Sequence, residues 1–143
     1  MTHRHSILVV DDDTAMRLAM ARVLERAGFE TTRCATAEEA LDALRARPWD
    51  ALVSDIRMPR MSGTELLERG LALRPTLSVV LVTAYGTVSD AVEAIRRGAR
   101  DYLLKPFAPE ALVAAVARCL EGETRETAAP EGTGISEPDV VAE

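Results

Sequence analysis

Five times along this chain a short apolar run of strand length gives way to a helical pattern, and that alternation leaves few architectures open. Ser6-Ile-Leu-Val-Val-Asp11 is apolar almost without interruption, as a strand covered on both faces must be. Met16, Met20, Val23, Leu24 and Ala27 then share one helical face, and Gly28 stands at the expected stop. Glu30 to Cys34 is a weaker strand, followed by the capping-box pattern Thr36-x-x-Glu39 and a helix carrying Ala40, Leu41 and Leu44 up to Pro48. Ala51 to Ser54 gives a third strand, and Ser62-x-x-Glu65 opens a helix with Leu66, Leu67 and Leu71 that stops before Pro75. Ser78 to Thr83 is the most strand-like run of all. Val88, Ala91, Val92 and Ile95 mark a fourth helix ending at Gly98, and Tyr102 to Leu104 a fifth strand. Pro109, near the first turn, starts a last helix through Leu112, Val116 and Leu120 to Gly122.

Strict strand-helix alternation predicts a parallel sheet with helices on both faces. For five strands the expected arrangement is the doubly wound, flavodoxin-like order 2-1-3-4-5, with ligands gathered at the carboxyl ends of the strands. A length of 143 residues, 48% of them apolar, suits one domain with a buried core, expected over residues 1–121. Residues 122–143 hold six acids, one arginine, two prolines and no apolar period, and read as a disordered acidic tail or linker. With that segment set apart, the net charge of -6 leaves the rest close to neutral, so nucleic-acid binding by this chain is not expected. No apolar run reaches the roughly 18 residues of a membrane span, and the start Met1-Thr-His-Arg-His5 lacks a signal-peptide core. A cytoplasmic protein is the expectation. Cys34 and Cys119 read as reduced packing residues, His3 and His5 receive no role, and Trp49 is expected to pack at the end of the sheet away from Asp55.

The polar residues fall where such a sheet would concentrate them. Asp11 and Asp12 end the first strand, Asp55 the third, Thr83 the fourth and Lys105 the fifth. Each alone has a duller reading: aspartates at strand ends often cap helices, as Asp13 and Thr14 are expected to do here, and a lone lysine is usually a solvated amine. Together they make a demanding site. Two unit charges about 4 Å apart repel by roughly 4 kcal/mol at an effective dielectric near 20, so converging carboxylates call for a cation. Oxygen ligands without nearby histidine or cysteine favour Mg²⁺, which typically uses one or two carboxylates plus phosphate oxygens. In such a site Asp55 can attack phosphorus as a carboxylate nucleophile, Lys105 supplies a second positive charge, and Thr83 can donate a hydrogen bond to the product.

From Ser6 to Leu120 the chain resembles receiver domains of bacterial response regulators. The resemblance is carried by Val9-Val-Asp-Asp-Asp-Thr-Ala-Met-Arg17, Ser54-Asp-Ile-Arg-Met-Pro59 with Met61-Ser-Gly63, Val82-Thr-Ala84, Gly98-Ala-Arg-Asp-Tyr102 and Lys105-Pro-Phe107, in the right order. It implies that Asp55 is the phosphoacceptor, that Asp12 binds Mg²⁺ directly and Asp11 mainly through water, and that the Arg57 backbone carbonyl completes the protein ligands. It also implies that Thr83 and Lys105 contact the phosphoryl oxygens, that the Lys105-Pro106 bond is cis, and that the Arg57 and Tyr85 side chains tune how quickly the phosphoryl group is lost. The implied donor is a phosphohistidine on a sensor histidine kinase or phosphotransfer protein.

Such a domain is a phosphoacceptor that supports its own phosphorylation and dephosphorylation, not an enzyme in the ordinary sense. Thr83 and Tyr102 would form its switch, and the fourth helix, fifth strand and fifth helix its readout surface. Leu112-Val-Ala-Ala-Val-Ala117 is apolar beyond one buried stripe, which suits a phosphorylation-dependent homodimer through that surface. Asp55-Ile-Arg-Met-Pro59 with Thr83-Ala-Tyr-Gly-Thr-Val look most like receivers of the nitrogen-regulatory class, leaving open a stand-alone regulator or the receiver of a larger one. Two rivals share parts of the pattern. A haloacid-dehalogenase-type phosphatase would use Asp11 as nucleophile and Asp13 as acid, but it has no use for Asp55. A flavin-binding module would need a phosphate cradle where this chain has an acidic loop.

Overall fold

A computed structural model describes residues 4–121 of the chain. The elements are β1 (Ser6–Val10), α1 (Thr14–Arg26), β2 (Glu30–Cys34), α2 (Ala37–Ala46), β3 (Ala51–Asp55), α3 (Gly63–Leu73), β4 (Ser78–Thr83), α4 (Val88–Arg96), β5 (Asp101–Leu104) and α5 (Pro109–Leu120). All strand pairings are parallel, and the sheet order is β2-β1-β3-β4-β5. The expected fold class is therefore the observed one. The tail expected over residues 122–143 and His3 lie outside the described residues.

The largely apolar character of β1, β3 and β4 follows from their position: each is buried along its whole length, with helices on both faces. Alternate residues serve two cores. Leu8, Val10, Leu52, Val79 and Leu81 pack with α2 and α3, while Ile7, Val9, Val53, Val80 and Val82 pack with Met20 and Leu24 of α1 and Leu112 and Val116 of α5. Each such side chain contributes about 1.5–3 kcal/mol through the area it removes from water. β2 is an edge strand, and its exposed Glu30, Thr32 and Arg33 explain its weak apolar signal.

Helix starts follow the sequence closely. Asp13 caps α1 by accepting from the Met16 N–H at 3.2 Å, Thr36 and Ser62 cap α2 and α3, and Thr87 and Asp90 form a capping box on α4. Thr14, expected beside Asp13 as a cap, is instead the first residue of α1. The apolar pattern of the fourth helix is divided: Ala91 and Ile95 are partly buried, Ile95 against the core, while the valines face outward. Only Ala94 of α4 is buried, whereas Val88 is 82% and Val92 45% exposed. On α5, Leu112, Ala115, Val116 and Cys119 are buried, and Ala114 is exposed with Val113 and Ala117 partly so.

Trp49 stands just ahead of β3, at its amino end, with its indole N–H donating to the Ala43 carbonyl at 2.9 Å and the Arg47 guanidinium 3.6 Å above the ring. Asp55 ends the same strand at the other side. Both cysteines are buried and outside any disulfide, and burial pushes the Cys34 thiol up to about 11. His5, at the amino end of β1, is 3.5 Å from the Asp50 carboxylate.

Candidate functional site

Parallel strands of a doubly wound sheet bring their carboxyl ends to one edge, and there the chain collects its acids. Carboxylate oxygens of Asp11, Asp12 and Asp55 lie within 4.8 Å of one another. Asp11 is fully buried, Asp55 is 8% exposed and Asp12 faces solvent. Asp11 is held at both oxygens: Oδ1 accepts from the Asp13 N–H at 2.9 Å, and Oδ2 pairs with Lys105 Nζ at 3.0 Å. Lys105 reaches across from the end of β5 and stands 3.7 Å from Asp55 Oδ2. The Lys105 N–H donates to the Thr83 carbonyl at 2.8 Å, which fixes the end of β5 beside β4, and the Lys105-Pro106 peptide is cis.

Burial is the main cause that raises the Asp55 carboxyl above its usual range. The neighbouring Asp11 charge adds to it, and Lys105 and the Ile56 N–H oppose it. The site thus holds a carboxylate that is costly to keep ionised without further positive charge. All candidate ligands are oxygens, with the nearby lysine as the only cation in direct contact with the acids among the described residues. That donor set fits a hard divalent ion of the Mg²⁺ kind.

Thr83 is fully buried at the end of β4, and its hydroxyl accepts from the Tyr85 N–H at 3.1 Å. Arg57 and Tyr85 face one another, with the guanidinium 4.3 Å from the ring centroid. Tyr102 is half-buried with its ring turned inward. A Cβ on Gly86 would fall 2.1 Å from the Tyr102 hydroxyl and 3.1 Å from Thr83 Cγ2, so the glycine is what lets ring and threonine approach the same spot. The hydroxyl is buried and has no hydrogen-bond partner among the described residues. Burial first, and then Asp90, push its ionisation upward.

Beside Lys105 an apolar groove of about 190 Å³ runs between α1 and α5, lined by Met16, Met20, Val23, Phe107 and Leu112. Three features were not foreseen from the residues alone. Lys105 engages Asp11 more closely than Asp55. Arg17 donates to the Asp11 carbonyl at 2.7 Å, and Asp101, buried on β5, pairs with Arg118 of α5 at 2.7 Å. The first two depend on side-chain reach that spacing does not encode. Asp101 carried a signal in being an acid inside a strand, which needs a partner when buried.

The family model for the response regulator receiver domain matches residues 7–117. The C4-dicarboxylate transport transcriptional regulatory protein DctD of Rhizobium meliloti (strain 1021) is 44% identical over 121 residues, covering 85% of this chain and 26% of that protein. The DNA-binding transcriptional regulator NtrC of Klebsiella pneumoniae is 39% identical over 137 residues, 94% of this chain and 29% of its own. The chain thus spans between a quarter and a third of the length of these relatives. Among solved structures, a CheY-like receiver domain protein from Methanospirillum hungatei JF-1 superposes with TM-score 0.79 at 34% identity, covering 89% of this chain and all of the other. The beryllofluoride-activated NtrC4 receiver domain dimer does so with TM-score 0.78 at 28% identity, covering 82% of this chain and 97% of that one.

Proposed function

This chain belongs to the response regulator receiver domain family, and on that premise we propose that it is switched by a phosphoryl group carried on Asp55. The observation that carries the reading is the convergence of Asp11, Asp12, Asp55 and Lys105 at one sheet edge. The domain acts in signalling and not as an enzyme of the ordinary kind.

In the proposed reaction an Asp55 carboxylate oxygen attacks phosphorus and the bond from phosphorus to its donor breaks. The products are an acyl phosphate and the freed donor group. Asp12, Asp55 and the Arg57 carbonyl would hold Mg²⁺, with Asp11 acting mainly through water, and the bound ion would neutralise charge on the transferring oxygens. Lys105 already sits between Asp11 and Asp55, placed to follow negative charge as it moves onto the phosphoryl oxygens. The Thr83 hydroxyl, free to donate, turns toward the new oxygens, and Tyr102 reports that turn because both crowd the space left at Gly86. Arg57 stacked on Tyr85 forms the side of the site that limits water, which tunes the lifetime of the phosphoryl group.

The donor is a phosphohistidine of a sensor histidine kinase or phosphotransfer protein in the cytoplasm, and the apolar groove beside Lys105 gives it a surface to rest on. No helix among the described residues is long and apolar enough to cross a membrane. The phosphatase reading loses its general acid, since Asp13 is engaged in capping α1. Incubation with acetyl phosphate and Mg²⁺ is expected to leave an acid-stable, hydroxylamine-labile phosphoryl group on Asp55. Turnover of an added phosphate monoester with Asp11 essential would instead establish the phosphatase.

The output surface is α4, β5 and α5, where Val88, Val92 and Leu104 stand exposed. With beryllofluoride and Mg²⁺ the protein is expected to sediment as a dimer. Val92→Asp, at an exposed position, is expected to weaken that dimer by about tenfold or more, the equivalent of 1.4 kcal/mol. An unchanged monomer in both states would remove homodimerisation from the proposal.

A further inference from the structure

Three consecutive aspartates fill the turn between β1 and α1, and like charges held this close tend to spring a turn open. Backbone bonds resist this only in part: the Asp11 N–H donates to the Cys34 carbonyl at a long 3.3 Å. Arg17, one turn into α1 and half-buried, closes the gap. Its Nη1 donates to the Asp11 carbonyl at 2.7 Å and its Nη2 to the Thr14 hydroxyl at 3.3 Å, so one planar fork bridges the residues on either side of Asp12 and Asp13. A short bond from a charged donor is of the strong kind, and the rigid guanidinium makes the two contacts act together. Both contacts avoid the carboxylates, which Lys105 serves instead.

We infer that Arg17 is a positioning residue for the cation site, clamping the 11–14 turn in the shape that brings the Asp12 carboxylate to Asp11 and Asp55. This rests on the reading of those acids as the Mg²⁺ site. Two consequences of removing Arg17 carry opposite signs. Losing a positive charge near three acids strengthens cation binding, while losing the clamp lets Asp12 swing away and weakens it. The clamp dominates, because Asp12 is exposed and the other side-chain bonds across the turn, from the Asp13 N–H to Asp11 Oδ1 and from the Met16 N–H to Asp13 Oδ1, rest on acids of the turn itself, whereas Arg17 alone among the described residues ties the Asp11 carbonyl to the first turn of α1.

The test is Mg²⁺ titration by calorimetry at fixed ionic strength on the wild type, Arg17→Met and Arg17→Lys, with melting curves in EDTA as a check of folding. Arg17→Met is expected to bind Mg²⁺ about tenfold more weakly, the lower end of what outer partners of metal ligands contribute. Arg17→Lys keeps the charge without the fork and is expected to fall between Met and wild type. Labelling by acetyl phosphate is expected to return close to the wild-type rate at saturating Mg²⁺, since the ion then gathers the acids itself. A merely structural role would lower melting without this separation of affinity from rate. If the wild type binds Mg²⁺ and Arg17→Met binds it equally or more tightly, the inference is overturned while the site stands. If the wild type binds none, both fall.

Discussion

Asp55→Asn is expected to abolish phosphorylation and, in the absence of metal, to make the protein more stable. The first effect follows from chemistry: a carboxamide is a poor nucleophile toward phosphorus, so labelling by a cognate kinase or by acetyl phosphate should fall by at least about 100-fold. The second follows from burial. The folded protein raises the Asp55 pKa above the ordinary 3.8, chiefly by desolvation and then by the Asp11 charge, so between those two values it binds a proton that the unfolded chain has lost. Stability from this group is therefore greatest at low pH and declines as pH rises through the folded pKa, leaving a net cost at neutrality. Asparagine keeps the shape and carries no such cost. Melting curves in EDTA should put the variant above the wild type at pH 7, with the gap closing as pH falls toward 4. Mg²⁺ should then raise the wild type more than the variant. Full labelling of the variant would end the assignment of Asp55, and a wild type that melts higher than the variant in EDTA at pH 7 would contradict the electrostatic account.

Gly63→Ala is expected to be the most damaging methyl group that can be added near the site. Gly63 opens α3 where that helix abuts the end of β3, and its N–H donates to the Ile56 carbonyl at 2.8 Å. A Cβ there would meet the Asp55 carbonyl oxygen at 2.2 Å and the Asp55 carbonyl carbon and Ile56 Cα at 2.9 Å. All three are backbone atoms and none can rotate away. Relief requires moving either the helix or the strand end that carries the phosphoacceptor, at a cost of about 3 kcal/mol or more. For a domain of this size that lowers the melting midpoint by roughly 10 °C. Gly70→Ala is the control, since its new methyl would meet only the Leu44 and Leu77 side chains at 3.3 and 3.7 Å. Equal melting of Gly63→Ala and Gly70→Ala would show that the close approach is not real.

The topology was legible because strands buried on both faces are apolar along most of their length, as β1 and β4 are apart from their end residues, and because Thr36, Ser62 and Thr87 announce their helices chemically. Asp11, Asp12, Asp55, Thr83 and Lys105 could be read as one group since a parallel sheet converts strand-end positions in sequence into neighbours in space. What spacing cannot convey is which partner a long side chain selects. Lys105 settling closer to Asp11 than to Asp55, and Arg17 taking a carbonyl in place of a carboxylate, are of that kind. The fourth helix was legible as a helix but not in its orientation. Val88 and Val92 carry the periodicity of a core face, but periodicity records that a stripe is apolar and not which way it points.

That outward stripe bears on how little force is needed to move α4. Leu112, Ala115, Val116 and Cys119 root α5 in the core, whereas α4 is rooted by the buried Ala94 and the partly buried Ile95, with Arg97 just past its end tied to Glu68 of α3 at 2.8 Å. Burial of one methyl gives about 1 kcal/mol, a partly buried isoleucine less than the roughly 3 kcal/mol of a fully buried one, and an exposed ion pair at most about 1 kcal/mol. Inverting a two-state population from 1:99 to 99:1 takes about 5.5 kcal/mol. A lightly moored helix lies within that range and a deeply rooted one does not, so the fold itself decides which of its five helices can serve as the moving part.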